Sequence, residues 1–281
     1  MENAERIIER FNRIHPAPIV LNRLSQLLVS EEATLKDAED VIRVDPLLVV
    51  RILNMVNSAY YSPLQRIGTL SRAVAYLGIR SLHNLVITDT LEGLASLGGK
   101  RPNELRLRIW RHSAAVGIAA KMIAERVFGL DGDNAYLTGI LHDFGQIIEE
   151  QIEHEAFAVI TRNAATATEM VGLEQRRFGV DHCQIGAELC GQWMVSPSVT
   201  QAISSHHDVA AVSPDSLGGI LRLAEYLTWP DQGQRGVGPN AWLDDSLGAH
   251  IKENSDEYAV LMEDFPAEMQ KANELYGGRA T

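Results

Sequence analysis

Apolar residues recur along this chain at three- and four-residue spacing, and no stretch reads convincingly as a strand. Such spacing places them on one face of a helix. A short amphipathic helix is expected over 1–12, with Ile7, Ile8 and Phe11 on one side. His15-Pro16-Ala17-Pro18 breaks it, because proline favours an extended turn before and at its own position. Val20, Leu21, Leu24, Leu27 and Leu28 mark a second helix, and Thr34 is placed to cap a third that runs to about Arg43. Asp45-Pro46 restarts the chain: the carboxylate caps free amides and proline suits the first helical position. The segment that follows, from Leu47 to Val56, is apolar nearly all round and is expected at the centre of a first core. Asn57-Ser58-Ala59-Tyr60-Tyr61-Ser62-Pro63 ends it. A helix with Ala73, Val74 and Leu77 closes at Gly78, and another with Leu82, Leu85, Val86 and Leu91 starts at Ser81.

Gly98-Gly99-Lys100-Arg101-Pro102 is the clearest linker signal. Beyond it, Trp110, Ala114, Ile118 and Met122 share one helical face that Gly129 closes. Asp131-Gly132-Asp133 turns the chain into a helix ending near Leu141. Helices are expected over 147–163 and 166–175. Asp181 should cap a helix bearing Ile185, Leu189 and Trp193, and Ser196-Pro197 should open one on which Val199, Ile203, His206 and His207 fall near one side. Leu217 to Trp229 is a further helix. A loop with Gly233, Gly236, Gly238 and Pro239 follows, then an acidic helix at about 256–275. The fold class is all-α: a multi-helix N-terminal subdomain over 1–97, a helical bundle over 103–229, and a C-terminal loop and helix over 230–281.

The chain has 281 residues, enough for one large or two modest cores. Its net charge of −12 argues against general nucleic-acid binding or an acidic membrane surface. The basic cluster of Lys100, Arg101, Arg106, Arg108 and Arg111 is expected as a solvated face, as are Glu149, Glu150, Glu153 and Glu155. Trp110 and Trp193 are expected as core anchors. Cys183 and Cys190, on one helix, would sit about 10.5 Å apart along its axis, too far for a disulfide. Free thiols, the charged Met1–Arg6 opening and the lack of an apolar run of membrane length point to a soluble cytoplasmic protein.

Candidate chemistry centres on Leu141-His142-Asp143-Phe144-Gly145. Adjacent imidazole and carboxylate groups can serve a metal if other ligands fold in, and His112, His182, His206, His207 and Glu225 are available. Several short motifs extend this pattern. Pro16-Ala17-Pro18, Asp45-Pro46-Leu47-Leu48, Asn57-Ser58-Ala59-Tyr60-Tyr61 and Leu77-Gly78-Ile79-Arg80 stand in the first half. Trp110-Arg111-His112-Ser113, Gly139 through Gly145, Phe178-Gly179-Val180-Asp181-His182 and His206-His207-Asp208 stand in the second. In this order they resemble the HDOD proteins, a regulatory branch of the HD-domain superfamily of metal-dependent phosphohydrolases, over about residues 14–228.

The resemblance implies an HD-like bundle in the second half and an output module in signalling. No receiver or cyclic-nucleotide domain of the kind often fused to such modules fits within the chain. It also implies a metal set of His112, His142, Asp143 and, where HD phosphohydrolases carry Asp, Glu225. His182, His206 and His207 fill positions that HD-GYP phosphodiesterases use for a second metal. Two departures weaken the case for hydrolysis of cyclic di-GMP. Gly145-Gln146 replaces a Gly-Lys pair, and Asp208-Val209-Ala210-Ala211-Val212 stands where a Gly-Tyr-Pro signature would follow. One or two divalent ions are expected, iron, manganese, nickel or zinc, with oxygen-rich ligation favouring the first three over structural zinc. The leading expectation is a signalling module that binds a regulatory protein partner or a nucleotide-like ligand. The alternative is a metal-dependent phosphohydrolase of nucleotides or cyclic nucleotides with Asp143 and His142 catalytic, and a metal or redox sensor is a third. The acidic C-terminal helix could pack on its own chain or support a homodimer. Asn57, Ser58, Tyr60 and Tyr61 could line a ligand groove, although a helix-ending, packing role is the expectation.

Overall fold

A computed structural model describes residues 3–58, 61, 63–96, 103–208, 210–228 and 243–275. The Gly98–Pro102 linker, Ala59, Tyr60, Trp229 and the glycine loop with Gly233, Gly236, Gly238 and Pro239 lie outside these residues. All regular structure among them is helical, as the apolar spacing predicts. The first five helices are α1 (Ala4–Ile14), α2 (Ile19–Leu28), α3 (Leu35–Arg43), α4 (Pro46–Val56) and α5 (Leu70–Ser96). Their starts follow the capping chemistry. Thr34 and Asp37 form a reciprocal capping box at α3, and the Asp45 side chain accepts from the amides of Leu47 and Leu48 ahead of Pro46. α5 is two helices joined at Gly78, whose φ of 74° is outside helical space. Asn57 clamps the turn after α4: its side chain donates to the carbonyls of Leu53 and Ile67, both at 2.7 Å, and accepts from the Ile67 amide at 2.7 Å. The Ser58 hydroxyl donates to the Met55 carbonyl. These two polar groups therefore terminate and brace the helix.

The next helices are α6 (Glu104–Met122), running on into a π-helical turn at Ile123–Val127, α7 (Asp133–Leu141), α8 (Phe144–Ile152), α9 (His154–Asn163) and α10 (Ala167–Phe178). Then come α11 (His182–Gln192), α12 (Pro197–Ser204), α13 (Leu217–Thr228), α14 (Asp245–Glu253) and α15 (Ser255–Leu275). α6 packs on α7 and α13, α11 on α8 and α12, and α1 crosses onto α8 and α11. α2, α3 and α4 surround α5, which also touches α6 and α7. α15 lies on α6 and the π-helical turn of its own chain, where Arg126 pairs with Asp264 at 2.7 Å and Glu268 at 3.0 Å. Trp110 and Trp193 are core anchors, at 1% and 3% exposure. Burial of a large apolar side chain stabilises the fold by about 1.5–3 kcal/mol.

Two close approaches set the geometry of the second half. A Cβ on Gly139 would lie 2.5 Å from the Gly117 Cα, so α6 and α7 cross backbone against backbone. A Cβ on Gly145 would lie 2.1 Å from the His182 carbonyl oxygen, so the start of α8 rests directly on the start of α11. A polar seam joins α2, α5 and the end of α11: the Ser25 hydroxyl is 2.9 Å from His83 Nε2 and 3.0 Å from the Trp193 carbonyl.

Several expectations need correction. Glu149 and Glu150 are each 1% exposed, not on a solvated face, because α8 is packed by α1, α6, α9 and α11 at once. Arg106 is buried as well and meets Glu150 at 2.6 Å, while Arg108 and Arg111 are exposed as expected. The helix expected over 147–163 begins at Phe144 and breaks at Glu153, whose φ of −142° ends α8 without a proline or glycine signal. The C-terminal helix is preceded by a shorter one, capped by Asp244.

Candidate metal centre

Five elements carry the seven predicted side chains to one place. His112 projects from the middle of α6. His142 and Asp143 form the break between α7 and α8, where Asp143 is the residue before the first turn of α8. His182 is the first residue of α11, fixed there by the Asp181–Gln184 capping box. His206 and His207, expected on the helix that Ser196-Pro197 opens, sit instead in the turn after it, because α12 ends at Ser204; Glu225 lies on α13. The turn bearing the paired histidines is held by Arg222, one helical turn before Glu225. Its guanidinium donates to the carbonyls of Ala210 at 2.8 Å and Ser205 at 3.3 Å, and to that of Asp208.

The donors form two groups that share Asp143. On one side, His142 Nε2 is 3.3 Å from His112 Nε2 and 3.6 Å from Glu225 Oε1. Asp143 Oδ2 faces this group, 3.5 Å from His142 Nε2 and 3.7 Å from His112 Nε2. On the other side, His182 Nε2 is 3.1 Å from His207 Nε2. Asp143 Oδ1 faces this second group, 3.5 Å from His182 Nε2 and 3.9 Å from His206 Nε2. Within each group the ligand atoms lie inside 4.8 Å of one another, for His112, His142 and Glu225 and for His182, Cys183, His206 and His207.

Hydrogen bonds behind the rings set which nitrogen is available. His142 Nδ1 meets the Gly139 carbonyl at 2.7 Å, and His206 Nδ1 meets the Ile203 carbonyl at 2.7 Å. A carbonyl only accepts, so each Nδ1 carries the proton and each Nε2 turns a lone pair inward. His182 Nδ1 is held by Glu174 Oε2 at 2.6 Å, and the same oxygen accepts from the His182 amide at 3.1 Å. A carboxylate behind a histidine in this manner fixes the ring and raises its basicity as a ligand. Gln146 donates to Asp143 Oδ1 at 2.6 Å.

The donors differ in their electrostatics: burial works against a charged His182, but Cys183 and Glu174 raise it well above the ordinary imidazole value. Burial disfavours a charged Asp143, but the imidazoles of His142, His182, His112 and His206, when protonated, hold its carboxyl well below the usual carboxylate range. Burial pushes Glu225 up, and the Asp143 charge adds to this against Arg222 and His182. His206 falls to about 3, through burial first and then the neighbouring rings of His142 and His182. Burial lowers His207 too, with His206 and His182 adding to the effect. His206 Nε2 and Glu225 Oε2 are buried with no hydrogen-bonding partner among the described residues. Leaving such atoms unsatisfied costs about 1–3 kcal/mol each, and a divalent ion in each group would satisfy the one that faces it.

Reading the sequence misses four residues here. Cys183 joins the His182 group, Glu174 orients His182, Gln146 holds Asp143, and Arg222 pins the histidine turn. Glu174 lies eight residues before His182 on a different helix, and Arg222 lies three before Glu225. Their roles follow from packing between helices, which spacing alone does not reveal.

The described residues form an all-α bundle in which two groups of imidazole and carboxylate donors share one aspartate. Residues 14–209 match the HDOD domain, and the chain belongs to the HDOD family. Glu225 lies beyond the matched span. An uncharacterised protein of Treponema pallidum is 27% identical over 216 residues, covering 73% of this chain and 40% of that protein. Ribonuclease Y of Streptococcus agalactiae is 28% identical over 160 residues, covering 56% of this chain and 23% of the enzyme. The chain thus spans less than half the length of either relative. A crystal structure from Shewanella amazonensis, provisionally described as a phosphohydrolase, has the same fold. It superposes with a TM-score of 0.68 at 23% identity over 98% of both chains. No helix among the described residues is long and apolar enough to cross a membrane.

Proposed function

We propose that this chain is an HDOD signalling module built around a two-metal centre, acting by binding a protein partner or a nucleotide-like ligand. The observation that carries the metal reading is the division of Asp143: one oxygen faces His112 and His142, the other His182 and His206. Iron, manganese, nickel and zinc all accept such mixed nitrogen and oxygen donors. Bound ions would supply Lewis acidity and a water of lowered pKa. The protein's own residues favour binding over turnover. Gln146 is spent on Asp143 and offers no cation to a phosphate, where a lysine or arginine would. The donors are also largely buried, His142 and His182 at 0% exposure.

The second reading is a metal-dependent phosphohydrolase of nucleotides or cyclic nucleotides, with Asp143 and His142 at the reacting centre. It is supported by the likeness to ribonuclease Y, whose name states a phosphodiester-cleaving activity for that enzyme. Elemental analysis of the purified full chain, with an assay on bis(p-nitrophenyl) phosphate and a nucleotide panel, separates the two. Metal without turnover is expected. Turnover abolished by Asp143→Ala would establish the hydrolase, and a chain that takes up no metal would overturn the metal centre in either reading.

A further inference from the structure

The two halves of the centre are chemically unequal. The His112 side offers two imidazoles and a carboxylate, with no sulfur among its donors. The His182 side brings the Cys183 Sγ within 4.8 Å of a ring nitrogen of each of His182, His206 and His207. Cys183 is in the first turn of α11, directly after His182, and its residue is 5% exposed. The capping box that fixes His182 therefore fixes the thiol beside it. An independent feature marks this pocket as a ligand site: His206 is buried, with its Nε2 lone pair directed inward and no hydrogen-bonding partner among the described residues. Cys190, the other cysteine, is seven residues on, fully buried, and belongs to neither group.

We infer that Cys183 is a metal ligand, and that it makes the His182 side a thiophilic site distinct from the oxygen-bearing His112 side. The inference rests on the two-metal reading. With Asp143 Oδ1, the three imidazoles and one thiolate give this side up to five donors, of which the nitrogen and sulfur set is the kind zinc accepts, with metal–sulfur bonds of about 2.3 Å. On binding, the thiol proton leaves to solvent and the Sγ–metal bond replaces the S–H bond. Soft sulfur ligation favours zinc or ferrous iron there over manganese, whereas the Glu225 side accepts harder ions. The expectation that oxygen-rich ligation disfavours zinc therefore applies to the His112 side alone.

Cobalt(II), titrated into the metal-stripped full-length chain, gives the test. A sulfur ligand adds a thiolate-to-cobalt charge-transfer band in the near ultraviolet to the visible ligand-field bands. The expected result is that band in the wild type and in Cys190→Ser, and its loss in Cys183→Ser with ligand-field absorption retained from the His112 side. Because the chain has two cysteines, the Cys190→Ser result assigns the band to Cys183 even if Cys183→Ser does not fold. Visible bands without charge transfer in the wild type would overturn Cys183 ligation while leaving the two-metal reading intact. The same holds for a charge-transfer band that persists in Cys183→Ser. The absence of any cobalt band would overturn the two-metal reading and this inference with it.

Discussion

Gly145→Ala would separate two elements that the site needs in contact. The new Cβ would sit 2.1 Å from the His182 carbonyl oxygen, and its other near neighbours, the His182 C and Cα at 2.7 Å, are backbone too. A carbon resting on a carbonyl oxygen needs about 3.3 Å, so the starts of α8 and α11 must part by roughly an ångström. No flexible side chain is available to yield. Overpacking of this kind costs about 1–3 kcal/mol, which for a chain this long lowers the melting temperature by about 2–4 °C for each kcal/mol. The shift also carries His182 away from Asp143, now 3.5 Å from it, so the His182 side should lose metal affinity before the His112 side does. Gly93→Ala, exposed on α5 with nothing within 4 Å of its Cβ, is the matched control and should gain about 0.5–1 kcal/mol. Thermal denaturation followed by circular dichroism, with a cobalt titration of each variant, reads both effects. A Gly145→Ala protein that melts with the wild type and fills both sides equally would refute the contact between α8 and α11.

Other consequences are open to measurement. Burial lowers His83 to about 4, so its folded pKa is below the unfolded value near 6.5. The stability held by neutral His83 is present above pH 6.5 and is lost as pH falls toward 4, at about 1.4 kcal/mol per unit. Denaturant titrations at pH 7 and pH 5 should give a shallower pH slope for His83→Gln than for wild type; equal slopes would count against the buried neutral ring. Glu174→Gln should weaken metal binding on the His182 side by about 10–100-fold and leave the His112 side unchanged, since Glu174 holds the His182 ring and amide. Equal weakening of both sides in stepwise cobalt titration would argue for a general structural role instead. Asn57→Ala removes three hydrogen bonds to Leu53 and Ile67 and should cost about 2–4 kcal/mol with metal uptake unchanged. Unaltered stability in that variant would show that the clamp does not hold the turn.

Local chemistry was legible wherever one residue type has one strong use. Thr34, Asp45-Pro46 and Asp181 start helices where their side chains can cap amides, and Gly78 bends α5 where positive φ is needed. The family motifs brought His112, His142, Asp143, His182, His206, His207 and Glu225 into view, and the helices place them around one point. What stayed hidden depends on partners distant in sequence. Glu149 and Glu150 look solvated in a window of one helix and are buried only because other helices close over α8. Arg106 looks like part of a basic face until Glu150 meets it. Cys183 reads as an inert thiol because neither neighbouring motif includes it. The π-helical turn at Ile123–Val127 carries no composition signal, and Pro266 falls inside α15 against ordinary helix rules.

The central claim is that Asp143 serves two ions at once, and ion counts per chain in four proteins test it most directly. Elemental analysis after saturation and desalting should find two ions in the wild type. It should find one in Glu225→Gln, which disturbs the His112 side, and one in His206→Ala, which disturbs the other. Asp143→Asn should lose both, since each of its oxygens faces a different group. Two ions retained in Asp143→Asn, or fewer than two in the wild type, would contradict the account.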